Sequence, residues 1–109
     1  MIVSVDLRSS RVALEEPSDC ARFHVVATGA ADAARLGAVL ADRAVGRTEG
    51  DDAFIEVDAL RRLAADRVGD EWETDFTAML EYAGTKGWLD ASGTAIQAHV
   101  EWADADRPL

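Results

Sequence analysis

The period of the apolar positions changes along the chain, and each change predicts an element. Trp72, Phe76, Met79, Leu80 and Ala83 recur at i, i+4, i+7, i+8 and i+11, one stripe of an amphipathic helix that packs on a core. Asp70-Glu71-Trp72-Glu73 has the acceptor-x-x-Glu form of a capping box, and its carboxylates suit the positive end of the helix dipole. Gly84 and Gly87 bracket the helix end, with Lys86 near the negative pole. Beyond it the period falls to two. Trp88-Leu89-Asp90 predicts a short strand and Ala91-Ser92-Gly93-Thr94 a turn. Ile96, Ala98, Val100 and Trp102 then point one way while Gln97, His99 and Glu101 point the other. Such alternation marks a half-buried antiparallel strand with one wet face, so residues 88–102 are expected to form a β-hairpin.

Upstream, residues 2–7 alternate with Val3, Val5 and Leu7 on one face, Arg8-Ser9-Ser10 suits a turn, and residues 11–14 return through Val12 and Leu14. Pro17 and its acidic neighbours predict a loop. Residues 22–28 form a third strand, Phe23, Val25 and Ala27 on one side and Val26 on the other. A helix over residues 30–45 follows, with Leu36, Val39, Leu40 and Ala44 as its stripe and Gly46 at the C′ position. Residues 46–52 are polar and acidic and predict the most flexible loop of the chain. Residues 53–57 suit a short strand. Asp58 is placed to cap a helix with the stripe Leu60, Leu63, Ala64 and Val68, closed by Gly69.

Together these elements predict an α/β (α+β) fold in one compact domain of 109 residues, about half of them apolar, enough for one core of its own. Three N-terminal strands (1–28) precede a unit of helix, short strand, helix, helix and β-hairpin (30–102), and residues 103–109 form a polar tail. The start of the chain has no basic segment or long apolar run, and no stretch approaches the roughly 20 apolar residues that span a bilayer. Neither a signal peptide nor a membrane partner is expected. The single cysteine, Cys20, excludes an intrachain disulfide and suits a reducing cytoplasm.

Charge divides the chain in two. Residues 1–47 hold six arginines and six acids; residues 48–109 hold fifteen acids against five cations, so the whole net charge of −10 lies there. Such a surface repels phosphate backbones and anionic lipid and favours basic partners.

From residue 30 onward the order helix, short strand, helix, tight turn at Gly69, helix, strand, turn, strand resembles the winged helix-turn-helix architecture. In DNA-binding members of that architecture the second helix of the pair presents basic or amide side chains to the major groove. Here the corresponding face carries Glu71, Thr74, Ala78, Glu81 and Thr85, flanked by Glu73, Asp75 and Thr77. None of these reads a base edge from a positive field or neutralises a phosphate. Arg61-Arg62 is the one basic pair nearby.

Candidate chemistry is sparse. Cys20 and His24 lie four apart and His99 is on a later strand, a set that a carboxylate would complete as a metal site. That spacing does not force convergence on a strand, so a partly buried cysteine and two ordinary histidines are the expected outcome. His99 and Glu101 share a strand face, either as an acid/base pair or as the wet face of an edge strand. Trp72, Trp88 and Trp102 are expected in the core rather than around an aromatic ligand. No catalytic residue, cofactor site or metal site is assigned. The sequence is therefore read as a protein–protein interaction or regulatory module with a basic protein partner, or a second copy in a homo-oligomer, meeting the face of Glu71, Asp75 and Glu81. A winged-helix transcriptional regulator and a small-ligand-binding domain or enzyme using His24, His99 and Glu101 are the alternatives. If the acidic face governs, micromolar protein will not retard random duplex DNA at about 0.1–0.15 M salt. A sequence-specific shift that weakens steeply with salt would favour the regulator.

Overall fold

The computed structural model describes residues 1–29 and 31–103; the expected polar tail, beyond Ala103, lies outside them. Strands β1 (Ile2–Asp6), β2 (Arg11–Glu15) and β3 (His24–Thr28) come first, then helix α1 (Ala33–Asp42). The hairpin β4 (Gly46–Glu49) and β5 (Asp52–Glu56) runs directly into α2 (Val57–Ala64), followed by α3 (Trp72–Lys86) and β6 (Ala95–Ala103). The class is mixed α+β, as expected. All six strands join one sheet in the order β2-β1-β3-β6-β5-β4. β1 pairs antiparallel with β2 and parallel with β3. β6 lies parallel to β3 and antiparallel to β5.

Only one face of this sheet is dry. Along β1, β3 and β5, buried residues alternate with half-exposed ones, which is the signature of a sheet covered on one side. Val3, Val5, Leu14, Val25, Ala27, Ala53, Ile55, Ile96, Ala98 and Val100 form the covered face. Leu36, Val39 and Leu40 of α1, Leu60 and Ala64 of α2, and Trp72 and Phe76 of α3 complete the same cluster. The other face mixes charged and hydroxyl side chains with the half-buried Ile2, Val26 and Phe54.

β6 is a central strand, and this is where the structure departs from the winged-helix likeness. The expected hairpin survives as a short arm: Asp90 N donates to Ala95 O at 3.0 Å, Gln97 N donates to Trp88 O at 2.6 Å, and Leu89 bridges Ile96. Past Gln97 the strand joins β3, so the N-terminal strands and the C-terminal strand share one sheet. No free two-stranded wing is left after α3.

Several local expectations change with it. α3 begins at Trp72, and its N-cap Glu71 makes no side-chain capping bond. The Asp70–Glu73 capping box does not form because Arg61 takes the Glu73 carboxylate, through Nη2 at 2.8 Å and Nε at 3.0 Å. Asp58 likewise lies inside α2 rather than capping it; the N-cap is Glu56 at the end of β5. The expected loop at 46–52 is strand β4 with its turn. It carries no apolar alternation because α1 covers it through small groups: a Cβ at Gly37 would lie 2.8 Å from Thr48 Oγ1. Gly46 does not cap α1 but opens β4, where a Cβ would lie 2.1 Å from Phe54 O. Ala44, expected on the buried stripe of α1, is exposed and takes the left-handed position at φ 56°. Gly87 does cap α3 as expected, at φ 76°, with Trp88 N reaching back to Ala83 O at 2.9 Å.

Of the three tryptophans only Trp72 is in the core; Trp88 is 43% exposed and Trp102 41%. Trp102 has the correct face, but it lies beside Ala31 and Ala33, whose side chains are too small to cover it. Trp72 stacks on Phe76 at 4.6 Å between ring centroids, and its indole Nε1 donates to Pro17 O at 2.7 Å. This pair ties α3 to the β2–β3 loop. Phe76 is fully buried, so Phe76→Ala is expected to cost about 3–5 kcal/mol in denaturant unfolding. A loss below about 1 kcal/mol would contradict this packing.

Candidate functional site

β6 changes neighbours halfway along its length, and the change leaves an opening in the sheet. On this edge its first residues bond to the Trp88–Asp90 arm, whereas the ladder with β3 starts only at the Val25–Val100 pair. Between the two lies a groove of about 850 Å³. Cys20, Ala21 and Phe23 of the β2–β3 loop form one wall and Trp88 the other. Asp75, Ala78, Met79, Tyr82 and Ala83 of α3 and Ile96 of β6 line the groove on the covered side of the sheet, and Gln97 and His99 of β6 with Asp52 of β5 line it on the wet side.

The local sequence explains the shape. At 100° per residue, Asp75, Ala78, Met79 and Tyr82 fall on one side of α3, next to but distinct from the buried Trp72–Phe76–Ala83 stripe. Ala78 is small, so that side is indented where a larger side chain would fill it. Asp52 faces His99 across the β5–β6 ladder, and Gln97 Nε2 donates to Asp52 Oδ2 at 2.6 Å. Tyr82 and Trp88 form the rim in an edge-to-face pair, centroids 5.8 Å apart at 73°, and Tyr82 is 55% exposed.

Turn 90–95 holds the Trp88 arm in place. Asp90 Oδ1 accepts from Thr94 N at 3.0 Å and Ala95 N at 3.2 Å, Ser92 Oγ donates to the same carboxylate, and Arg47 Nη2 lies 3.5 Å from Oδ2. Loss of water around Asp90 works to raise its pKa. The Ala95, Ser92 and Thr94 donors and the Arg47 charge outweigh it, so the net shift is downward.

Burial raises the pKa of the Cys20 thiol first, the Asp75 and Asp19 charges add to the rise, and the Met1 amino group opposes it. Cys20 is therefore a thiol, not a thiolate nucleophile, at neutral pH. No hydrogen bond joins it to His99 among the described residues.

Of the three residues considered for an enzyme, the structure brings His24 and Glu101 together and places His99 at the groove. His24 Nε2 lies 3.5 Å from Glu101 Oε2 on the open face, whereas His99 lines the groove and His24 does not. His99 and Glu101 do share a wet face, but on a central strand rather than an edge. Among the described residues no group of three His, Cys, Asp or Glu is placed to hold a metal.

Glu71, Asp75 and Glu81 are all exposed. Glu71 and Asp75 line one recess with Ser18 and Asp70, Asp75 also borders the groove, and Glu81 lies farther along the helix, away from the core. The aromatic rim and the Asp52–Gln97 contact had no local signal in the sequence, apart from the i, i+7 spacing of Asp75 and Tyr82.

Among the described residues no helix is long and apolar enough to cross a membrane. Comparison with protein-family models, curated proteins and solved structures finds no match to the chain.

The Asp90 turn has a pH signature. A carboxylate with a lowered folded-state pKa stabilises the fold above its unfolded value, and that contribution is lost as pH falls through the folded value. The Thr94 and Ala95 amide signals are expected to titrate together with a midpoint below about 3.9, and Asp90→Asn to abolish the titration. A midpoint above that value would contradict the bonding described.

Proposed function

We propose that this domain acts by protein–protein contact, as an acidic adaptor or regulatory module with a basic partner. The observation that carries the reading is the state of the carboxylates on α3. Glu71, Asp75 and Glu81 are exposed and meet no cation among the described residues, while neighbouring Glu73 is neutralised by Arg61. Unpaired charge on one side of a helix is available to an incoming Lys or Arg surface, where it steers encounter and selects partners by sign.

The concentration of the net charge of −10 in residues 48–109 supports the same reading. A homo-oligomer fits it only if the second copy offers its neutral half, because two α3 faces would repel. The DNA-binding alternative has less support. Arg61 is engaged by Glu73 and Asp58, which leaves the exposed Arg62, donating to the carbonyls of Arg43 and Ala44, as a single charge in an acidic half. The single cysteine supports a reducing, cytoplasmic setting.

The test is a charge reversal away from the core. Glu71→Lys combined with Glu81→Lys is expected to leave the thermal unfolding midpoint nearly unchanged. A partner captured from native lysate should bind this variant at least about tenfold more weakly at 0.15 M salt, and with a shallower salt dependence. Equal binding by parent and variant, with the same salt dependence, would exclude this face as the contact surface.

A further inference from the structure

The groove at the break in the sheet has a chemistry of its own, separate from the outer face of α3. Its volume of about 850 Å³ lies within the roughly 300–1,000 Å³ of sites that hold small organic molecules. Phe23, Met79, Tyr82, Trp88 and Ile96 give it an apolar body, and its polar groups are few. Asp52 stands on the strand side and Asp75 on the helix side. No lysine or arginine lines the groove, and neither carboxylate meets a cation among the described residues. Gln97 bonds one oxygen of Asp52 and so fixes that carboxylate on the wet side.

We propose that this groove is a binding site for a small aromatic amine, its ring held between Trp88, Tyr82 and Met79 and its ammonium group beside Asp75. The sign follows from the lining: an anionic ligand would lose its hydration in a groove that two carboxylates and no lysine or arginine line. An ammonium gains the Asp75 carboxylate and the faces of the rim aromatics, which attract cations. The rim already does this within the chain, since Lys86 Nζ lies 5.5 Å from the Tyr82 ring centroid. The aromatic part of the ligand follows from Tyr82 and Trp88, which are 55% and 43% exposed and leave surface for a third ring to meet.

The probes are 2-phenylethylamine and phenylacetate, which share a ring and differ in charge, titrated into the intact protein at neutral pH. Binding is read from the Trp88 indole N–H and the Met79 methyl signals. The amine is expected to saturate in the micromolar to low millimolar range, and the acid to bind at least about tenfold more weakly. Two variants separate charge from space. Asp75→Asn, at an exposed position, should weaken the amine about threefold to tenfold and leave the acid unaffected or tighter. Ala78→Phe, which fills the indented α3 side without altering charge, should abolish binding of the amine.

Amine and acid binding equally, or an amine affinity unmoved by both variants, would overturn the proposal. So would no saturation by the amine up to about 10 mM, or a lysine-rich peptide shifting these signals where the amine does not. Because the groove variants leave Glu71 and Glu81 intact, failure here does not touch the protein-contact reading, and failure of that reading does not touch the groove.

Discussion

A sheet that buries one face and wets the other places every helix of this protein on the same side, and most of the architecture follows from that restriction. The ten sheet residues of the covered face and the buried stripes of α1, α2 and α3 must meet in a single layer. That layer is wide enough for two helices to pack closely and leaves the third at the margin. α1 lies against β4, where Gly37 and Thr48 permit close approach, and α2 leaves β5 without a loop. α3, fifteen residues long, buries only Trp72, Phe76 and Ala83. Its hold on the rest depends on the stacked Trp72–Phe76 pair, the indole bond to Pro17 and the Arg61 bridge to Glu73. The bridge is exposed at both ends and contributes little stability by itself; the buried rings carry the attachment.

The marginal position of α3 and the divided pairing of β6 together produce the groove. A central strand normally has a neighbour along its whole length on both sides, because buried backbone donors and acceptors need partners. On one edge β6 is served by two short neighbours, the Trp88 arm and β3, which approach from opposite ends. The interval between them is covered from above by α3, which shows the opening its small and half-exposed side chains. A helix packed tightly there would have filled the opening; the one present roofs it. The groove therefore depends on the same one-sided layering that determines the core.

This also explains which features were legible in the sequence. The stripe of α3 and the alternation of β1, β3 and β6 are local patterns that survive folding, and they identified Val3, Val5, Val25, Phe76, Ile96 and Val100 as core. β4 was illegible because Gly-Arg-Thr-Glu has no apolar period; its cover comes from a glycine on α1 and a hydroxyl, and neither registers as hydrophobic. The capping box failed because the Arg61 guanidinium, contributed by another helix, competes for Glu73. Trp102 followed its period and still faces water, because periodicity gives the side of a strand but not how far the covering helix extends. For the site, Asp75 was identified as exposed charge, but its partnership with the groove was not. Gln97 and Asp52 lie 45 residues apart, and only the strand order brings them together.

Electrostatics links the two surfaces of α3. The outward carboxylates and the pair lining the groove belong to one acidic half, so a cation approaching either is attracted by the same field, screened beyond about 8–10 Å at physiological salt. Near the surface their environments diverge. Glu81 stands in water, where an ion pair gains little beyond steering and sign selection. Asp52 sits half-buried between strands with one oxygen already bonded by Gln97, and Asp75 stands at the edge of an apolar groove. A cation reaching Asp75 leaves part of its water behind and meets aromatic faces in exchange, so the contact there is less screened and more selective for shape. A large basic surface cannot follow it into that space. The outer face thus suits a broad partner recognised by charge, and the groove a small one recognised by charge and ring together, with Asp75 placed where the two meet.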